Sequence, residues 1–216
     1  MPPLSRDRII DTAIAMADRD GLDAVTLRRI AAALGVHVTS LYNHVPTRDA
    51  VTTGIVDALV TRADLPAGEI EWEVWVRAFV DGVSAIAVEH PGAFAALQRR
   101  PVEGARATQS FEAALAALER TGLDPAAAYG AVKATTHVAL SIGVERALWR
   151  RGEDAETAFE QLPVESFPHV HALQGRIDPE VAWRFSVETL VAGLRAQIGA
   201  AAVDHGGSLS TGDDAD

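Results

Sequence analysis

Residues 26–48 read TLRRIAAALGVHVTSLYNHVPTR, and no other window constrains the fold of this chain so narrowly. The pattern predicts two short helices around a tight turn. Thr26 can cap the first, because its hydroxyl accepts from a backbone N–H left free at a helix start. Ile30, Ala31 and Leu34 recur on one face of that helix. Gly35 stands where the residue after a helix takes a positive φ, which glycine adopts without a Cβ penalty. Val36 then fills the corner. The second helix is expected from about Val38 to His44, stopped by Pro46, which also biases Val45 away from helix. Leu41 and Val45 face inward, leaving Val38, Thr39, Ser40, Tyr42, Asn43 and His44 on the outer face.

A short helix with small and hydroxyl side chains at its exposed start suits the major groove of duplex DNA. Ser40 and Thr39 can pair with base edges, and Val38 can touch a thymine methyl. Tyr42, Arg28, Arg48 and the N–H groups at helix starts suit phosphates. The plainer alternative is a helical hairpin inside an all-α domain.

The stretch from RDRIIDTAIAMADRDGLDAVTLRRIAAALGVHVTSLYNHVPTRDA onward resembles the tetracycline-repressor (TetR) family of one-component transcription regulators. The likeness covers roughly the first 60 residues and is closest to the tetracycline repressors themselves in LYNHV. The resemblance implies that Thr26, Leu27 and Arg28 begin the supporting helix, with Arg28 at a base- or phosphate-contacting position. It places Val38, Thr39 and Ser40 at the base-reading start of the recognition helix, and Tyr42, His44 and Arg48 on its phosphate-contacting edge. Two positions depart from the closest relatives: Val38 stands for an amide side chain and Thr39 for a proline. The operator sequence therefore does not carry over.

The net charge of −11 looks wrong for a partner of DNA, but its distribution does not. Seven arginines and seven acids cancel in residues 1–62, and twelve basic residues face 23 acids in residues 63–216. Within 26–48 stand three arginines, two histidines and no acid, so the local footprint is positive. The absence of cysteine excludes disulfides and thiolate metal sites. No apolar run reaches the ~18 residues a membrane span needs, and MPPLSRDR lacks the apolar core of a signal peptide, so a cytoplasmic protein is expected.

Along the chain the expected architecture is all-α, with about nine to ten helices. A three-helix DNA-reading domain and its connecting helix 47–62 occupy residues 1–62. A larger helical domain for effector binding and dimerisation covers 63–203, and the polar, acidic tail 204–216 is expected to be disordered. Ser5 caps a first helix to about Asp20, and Thr47 caps the connecting helix. The break is DLPAGE, residues 64–69. Further helices are expected over about 70–89, 93–99, 103–120, 126–150 and 180–201, with Asp124-Pro125 and Asp178-Pro179 as starts.

The two longest helices, 126–150 and 180–201, are apolar around much of their circumference. They are either buried within the subunit or packed on a second copy. A lone recognition helix reads few base pairs, which favours a two-fold dimer on a palindromic operator. The resemblance adds a four-helix bundle from these helices, and a small-molecule effector whose binding alters the spacing of the reading heads. Trp72, Trp75, Phe79, Phe94, Phe111, His137, Ser141 and Phe167 are candidate pocket residues, each with a plain core alternative. His137 is a core histidine, a ligand-facing group or a metal ligand. His169 and His171 would form a metal pair only in an extended loop. No metal or cofactor is expected. No catalytic motif such as HExxH or GxSxG is present, so an all-α enzyme is a weak alternative, and a helix-turn-helix adaptor for protein partners is another.

Overall fold

The computed structural model describes residues 3–99, 104–152, 162–173 and 175–207, and among them all regular structure is helical. The reading unit contains α1 (Arg6–Asp20), a 3-10 turn (Leu22–Ala24), α2 (Leu27–Leu34), α3 (Val38–Leu41) and α4 (Arg48–Arg62). The distal unit contains α5 (Trp72–Glu89), α6 (Ala95–Arg99), α7 (Ala105–Glu119), α8 (Pro125–Arg150), α9 (Pro168–His171) and α10 (Pro179–Gly207).

Helix starts follow the local sequence. Ser5, Thr26 and Thr47 each accept from a backbone N–H three residues on, at 3.2, 3.2 and 3.0 Å. The Asp124 carboxylate accepts from Ala126 and Ala127 at 2.8 and 3.0 Å, with Pro125 at the first helical position. Gly35 closes α2 with φ +68°.

Three expectations shift. The recognition helix is a single turn, Val38–Leu41, rather than a helix to His44. The amides of His44 and Val45 both converge on the Leu41 carbonyl, at 2.9 and 2.8 Å, and the chain turns there before Pro46. α5 begins at Trp72, two residues later than the pattern suggested. α10 runs to Gly207, into the stretch expected to be disordered, because the alanines at 200–202 propagate helix well. Residues 208–216 lie outside the described residues.

The reading unit and the distal unit share a core. One apolar cluster runs from Ile9, Ile10, Ile30, Leu41, Val45 and Ile55 through Leu65 to Val80, Val83, Phe94, Ile142 and Trp183. A second cluster lies at the other end of α5, around Trp72, Trp75, Leu118, Leu123, Val132 and Val191. Ion pairs then fix α10 across α5: Arg77 reaches Glu188 at 2.8 Å and Arg195 reaches Glu73 at 2.7 Å. Arg195, with Arg77, holds the Glu73 carboxyl below its ordinary range, and Arg77 does the same to Glu188. No helix among the described residues is long and apolar enough to cross a membrane.

Candidate nucleic-acid interface and ligand cavity

On the reading unit, Leu41 and Val45 are fully buried and anchor the turn that carries α3. Thr39, Tyr42 and Asn43 project to solvent, with Tyr42 49% exposed. Ser40 and His44 are half-buried beside them. Val38 is also half-buried and packs on the core, so only part of its side chain is available to a base. The Thr26 hydroxyl is engaged as the α2 cap through its oxygen and keeps its proton to donate.

The arginines divide sharply. Arg29 is turned back onto the protein, donating to the Ala24 carbonyl at 3.1 Å and to Asp20. Arg19 at 2.9 Å, together with Arg29, draws the Asp20 carboxyl down to about 2. Arg28 is exposed and has no ion pair among the described residues. Arg48 is exposed and touches Asp23 only at 3.5 Å. Asp23 is held more closely by Arg99 of α6, at 2.8 Å, and that guanidinium depresses its carboxyl most.

A second tie joins the units at Asp18 of α1. One carboxylate oxygen accepts from the backbone amides of Gly92 and Ala93 at 3.1 and 2.9 Å. The other lies 2.8 Å from His90 Nδ1. The loop between α5 and α6 is pressed so closely on α1 that a Cβ on Gly92 would stand 2.0 Å from the Ala17 carbonyl oxygen.

In the distal unit, a cavity of about 420 Å³ opens between α4, α5, α6, α7 and α8. Trp75 and Phe79 stack on one wall with centroids 4.7 Å apart, and Phe111 meets the Tyr129 ring edge-on at 6.1 Å. Trp75 is fixed by its indole N–H, which donates to the Ser110 carbonyl at 3.0 Å. The polar lining is Thr108, Lys133 and Thr136. Val60 of α4 and Leu97 of α6 complete the wall nearest the reading unit.

Of the residues put forward from sequence for this pocket, Trp75, Phe79 and Phe111 line it. Trp72 belongs to the second core cluster and Phe94 to the main one. His137 and Ser141 are exposed on α8, away from the cavity. Phe167 is exposed beside α9. The helix phase explains the difference: the cavity face of α8 is Tyr129, Val132, Lys133, Thr136 and Leu140, and His137 and Ser141 each lie one residue beyond it, rotated by about 100°. Tyr129, Lys133, Thr108 and Thr136 were missed. His169 and His171 sit on α9, and among the described residues no group of three or more His, Cys, Asp or Glu is arranged to hold a metal.

His137 and Ser141 instead belong to an outward stripe on α8 with Gly130 and Glu145. α10 carries a comparable stripe of Ala182, Phe185, Thr189, Ala192, Ala196 and Gly199, in which Phe185 is 73% exposed.

The sequence model described as "Bacterial regulatory proteins, tetR family" matches residues 9–52. An HTH-type transcriptional regulator of Saccharopolyspora erythraea is 31% identical over 72% of this chain and 66% of its own length. The HTH-type transcriptional repressor DrrR1 of Streptomyces coeruleorubidus is 32% identical over 57% of this chain and 47% of its own. The chain thus spans about half to two thirds of these curated relatives. Among solved structures, Streptomyces coelicolor ActR in complex with actinorhodin matches with a TM-score of 0.76 at 25% identity, over 92% of this chain and 100% of that one.

Proposed function

The chain belongs to the TetR family of bacterial regulatory proteins, and from that premise we propose that it is a ligand-responsive transcriptional repressor. It binds a palindromic operator as a homodimer and is released by a hydrophobic small molecule. Residues 1–62 read the DNA, and residues 63–203 sense and dimerise. Thr39 and Ser40, with the exposed part of Val38, read base edges. Arg28, Tyr42, His44 and Arg48 take phosphates, with the Thr26 hydroxyl beside them. The protein acts in the cytoplasm, where its operator lies, and by binding rather than turnover.

The observation that carries this reading is the course of α4. It starts at Arg48 beside the reading helix and places Val60 in the cavity wall, about 18 Å along one rigid helix. A ligand that fills the cavity pushes on the element that sets the heads. By linkage, it weakens DNA binding by the same factor by which DNA weakens the ligand. The structure of ActR in complex with actinorhodin supports a small-molecule ligand for a chain of this fold. The outward stripes of α8 and α10, small residues around Phe185, offer each other a close-packing seam across a two-fold axis.

Selection of duplexes from a random pool by the full chain tests the reading. A retained inverted repeat, with half-sites about 34–36 Å apart or a multiple of that, is the expected outcome. A protein that retains no duplex above random sequence, or that recovers only unpaired half-sites, overturns it. Light scattering of the free protein checks the dimer independently.

A further inference from the structure

The chain has 19 basic residues, and 18 of them are arginine. The single lysine, Lys133, lines the cavity. Among the described residues its ammonium makes no ion pair or hydrogen bond. Among the described residues that line the cavity none is acidic, in a chain with 30 acids and a net charge of −11. The protein's excess negative charge is therefore absent from the described lining of a ligand-sized space that carries an uncompensated cation.

The surroundings of Lys133 narrow its partner. Tyr129 and Thr136 lie one helical turn to either side of it on α8. Thr108 of α7 joins this polar edge, and the Trp75–Phe79 stack and Phe111 supply flat apolar wall. The volume of about 420 Å³ falls within the range of small-molecule pockets. An ammonium next to apolar walls loses hydration and is best met by an anionic oxygen.

We propose that the effector is a planar aromatic acid. Its rings lie against Trp75, Phe79 and Phe111, and its anionic oxygen, a carboxylate or an ionised phenol, pairs with the Lys133 ammonium. The Thr108 and Thr136 hydroxyls, which donate to the Gly104 and Val132 carbonyls at 3.2 and 2.9 Å, keep oxygen lone pairs that can accept from a phenolic hydroxyl at the same polar edge. This deepens the reading of the cavity as the effector site and rests on it.

Calorimetric titration of the full-length protein with an anthracene carboxylate and with its neutral carboxamide tests the charge. The acid is expected to bind about tenfold more tightly than the amide, as a hydrogen-bonded charge pair should. Lys133→Met removes that preference and leaves the two probes within about twofold of each other, while Lys133→Arg keeps it. Thermal melting of each variant shows that it is folded, and Lys133→Gln serves in place of a methionine variant that is not. Equal binding of the two probes to the wild-type protein, or a preference that survives in Lys133→Met, overturns the acid and leaves the cavity as an aromatic site. Binding of neither probe overturns both the acid and the cavity reading. Operator retention, measured without any probe, reports the DNA reading separately.

Discussion

The reading head and the cavity are built in opposite ways. The head is convex and local: Thr26 caps the helix it precedes, Gly35 turns the chain, and the exposed side chains of 39–43 lie on one short segment. Its core residues Ile30, Leu41 and Val45 are completely buried, so the surface stands on a filled base. The cavity is concave and collective. Its walls come from residues 60 to 140, on five helices and at Leu65 between two of them, and no single segment defines it. A surface of the first kind is altered one base contact at a time. A site of the second kind changes whenever the packing of α5, α7 and α8 changes.

The strongest way to break the contrast is Leu41→Ala. The side chain is fully buried, and its loss costs ~2–5 kcal/mol. Operator binding should disappear while aromatic-probe binding in the cavity persists. Loss of both would show that the shared core makes head and cavity one cooperative unit, which denaturant melts followed by two probes would resolve.

A smaller effect is expected at the tie between the units. Asp18→Ala orphans the Gly92 and Ala93 amides and should cost ~1–3 kcal/mol of stability. It should also reduce the factor by which ligand weakens DNA binding. An undiminished factor, from paired titrations, would confine the signal to α4.

Within the head, Thr39→Ala should relax discrimination at particular base pairs by ~1–3 kcal/mol, read from a panel of single-base operator variants. Uniform weakening over the panel would move Thr39 from base reading to phosphate positioning. Arg48→Ala should lower the slope of log affinity against log salt by about one. Asp23→Asn removes the carboxylate that Arg48 shares with Arg99 and should strengthen binding slightly. An unchanged slope in the first variant removes Arg48 from the phosphate contacts.

The smallest effect is electrostatic. The Asp20 carboxyl titrates at about 2, below the ordinary carboxylate range, through Arg19 and Arg29. A depressed folded-state value means that its contribution is present above that range and is lost as pH falls through about 2. Carboxyl chemical shifts should show this midpoint, and Arg19→Ala should raise it. A midpoint that does not move in the variant would assign the depression to Arg29.

What the sequence made legible divides along the same line. The caps at Ser5, Thr26, Thr47 and Asp124 and the turn at Gly35 were readable because each acts on residues within one turn of itself. The phase of α8 was not readable, because it is set by which face meets α5 and α7. Buried Ala128, Ala131, Thr135, Ala139 and Ile142 settle it, and they turn Lys133 and Thr136 inward and His137 and Ser141 outward. The lone lysine was visible in the composition and was the one sequence signal pointing to that face. The length of α3 was overestimated, since apolar spacing does not reveal two amides sharing one carbonyl. The tie between Asp18 and residues 90–93 joins segments more than seventy residues apart and left no local trace.

The clearance at Gly92 bears on how such proteins can be recombined. A foreign reading head grafted at the break after α4 brings its own residues at positions 17 and 18. Unless it presents an acid at 18 and brings its first helix as close to Gly92, the chimera strands two amides without an acceptor. Exchange of specificity between relatives therefore carries a compatibility requirement at a point that touches neither DNA nor ligand.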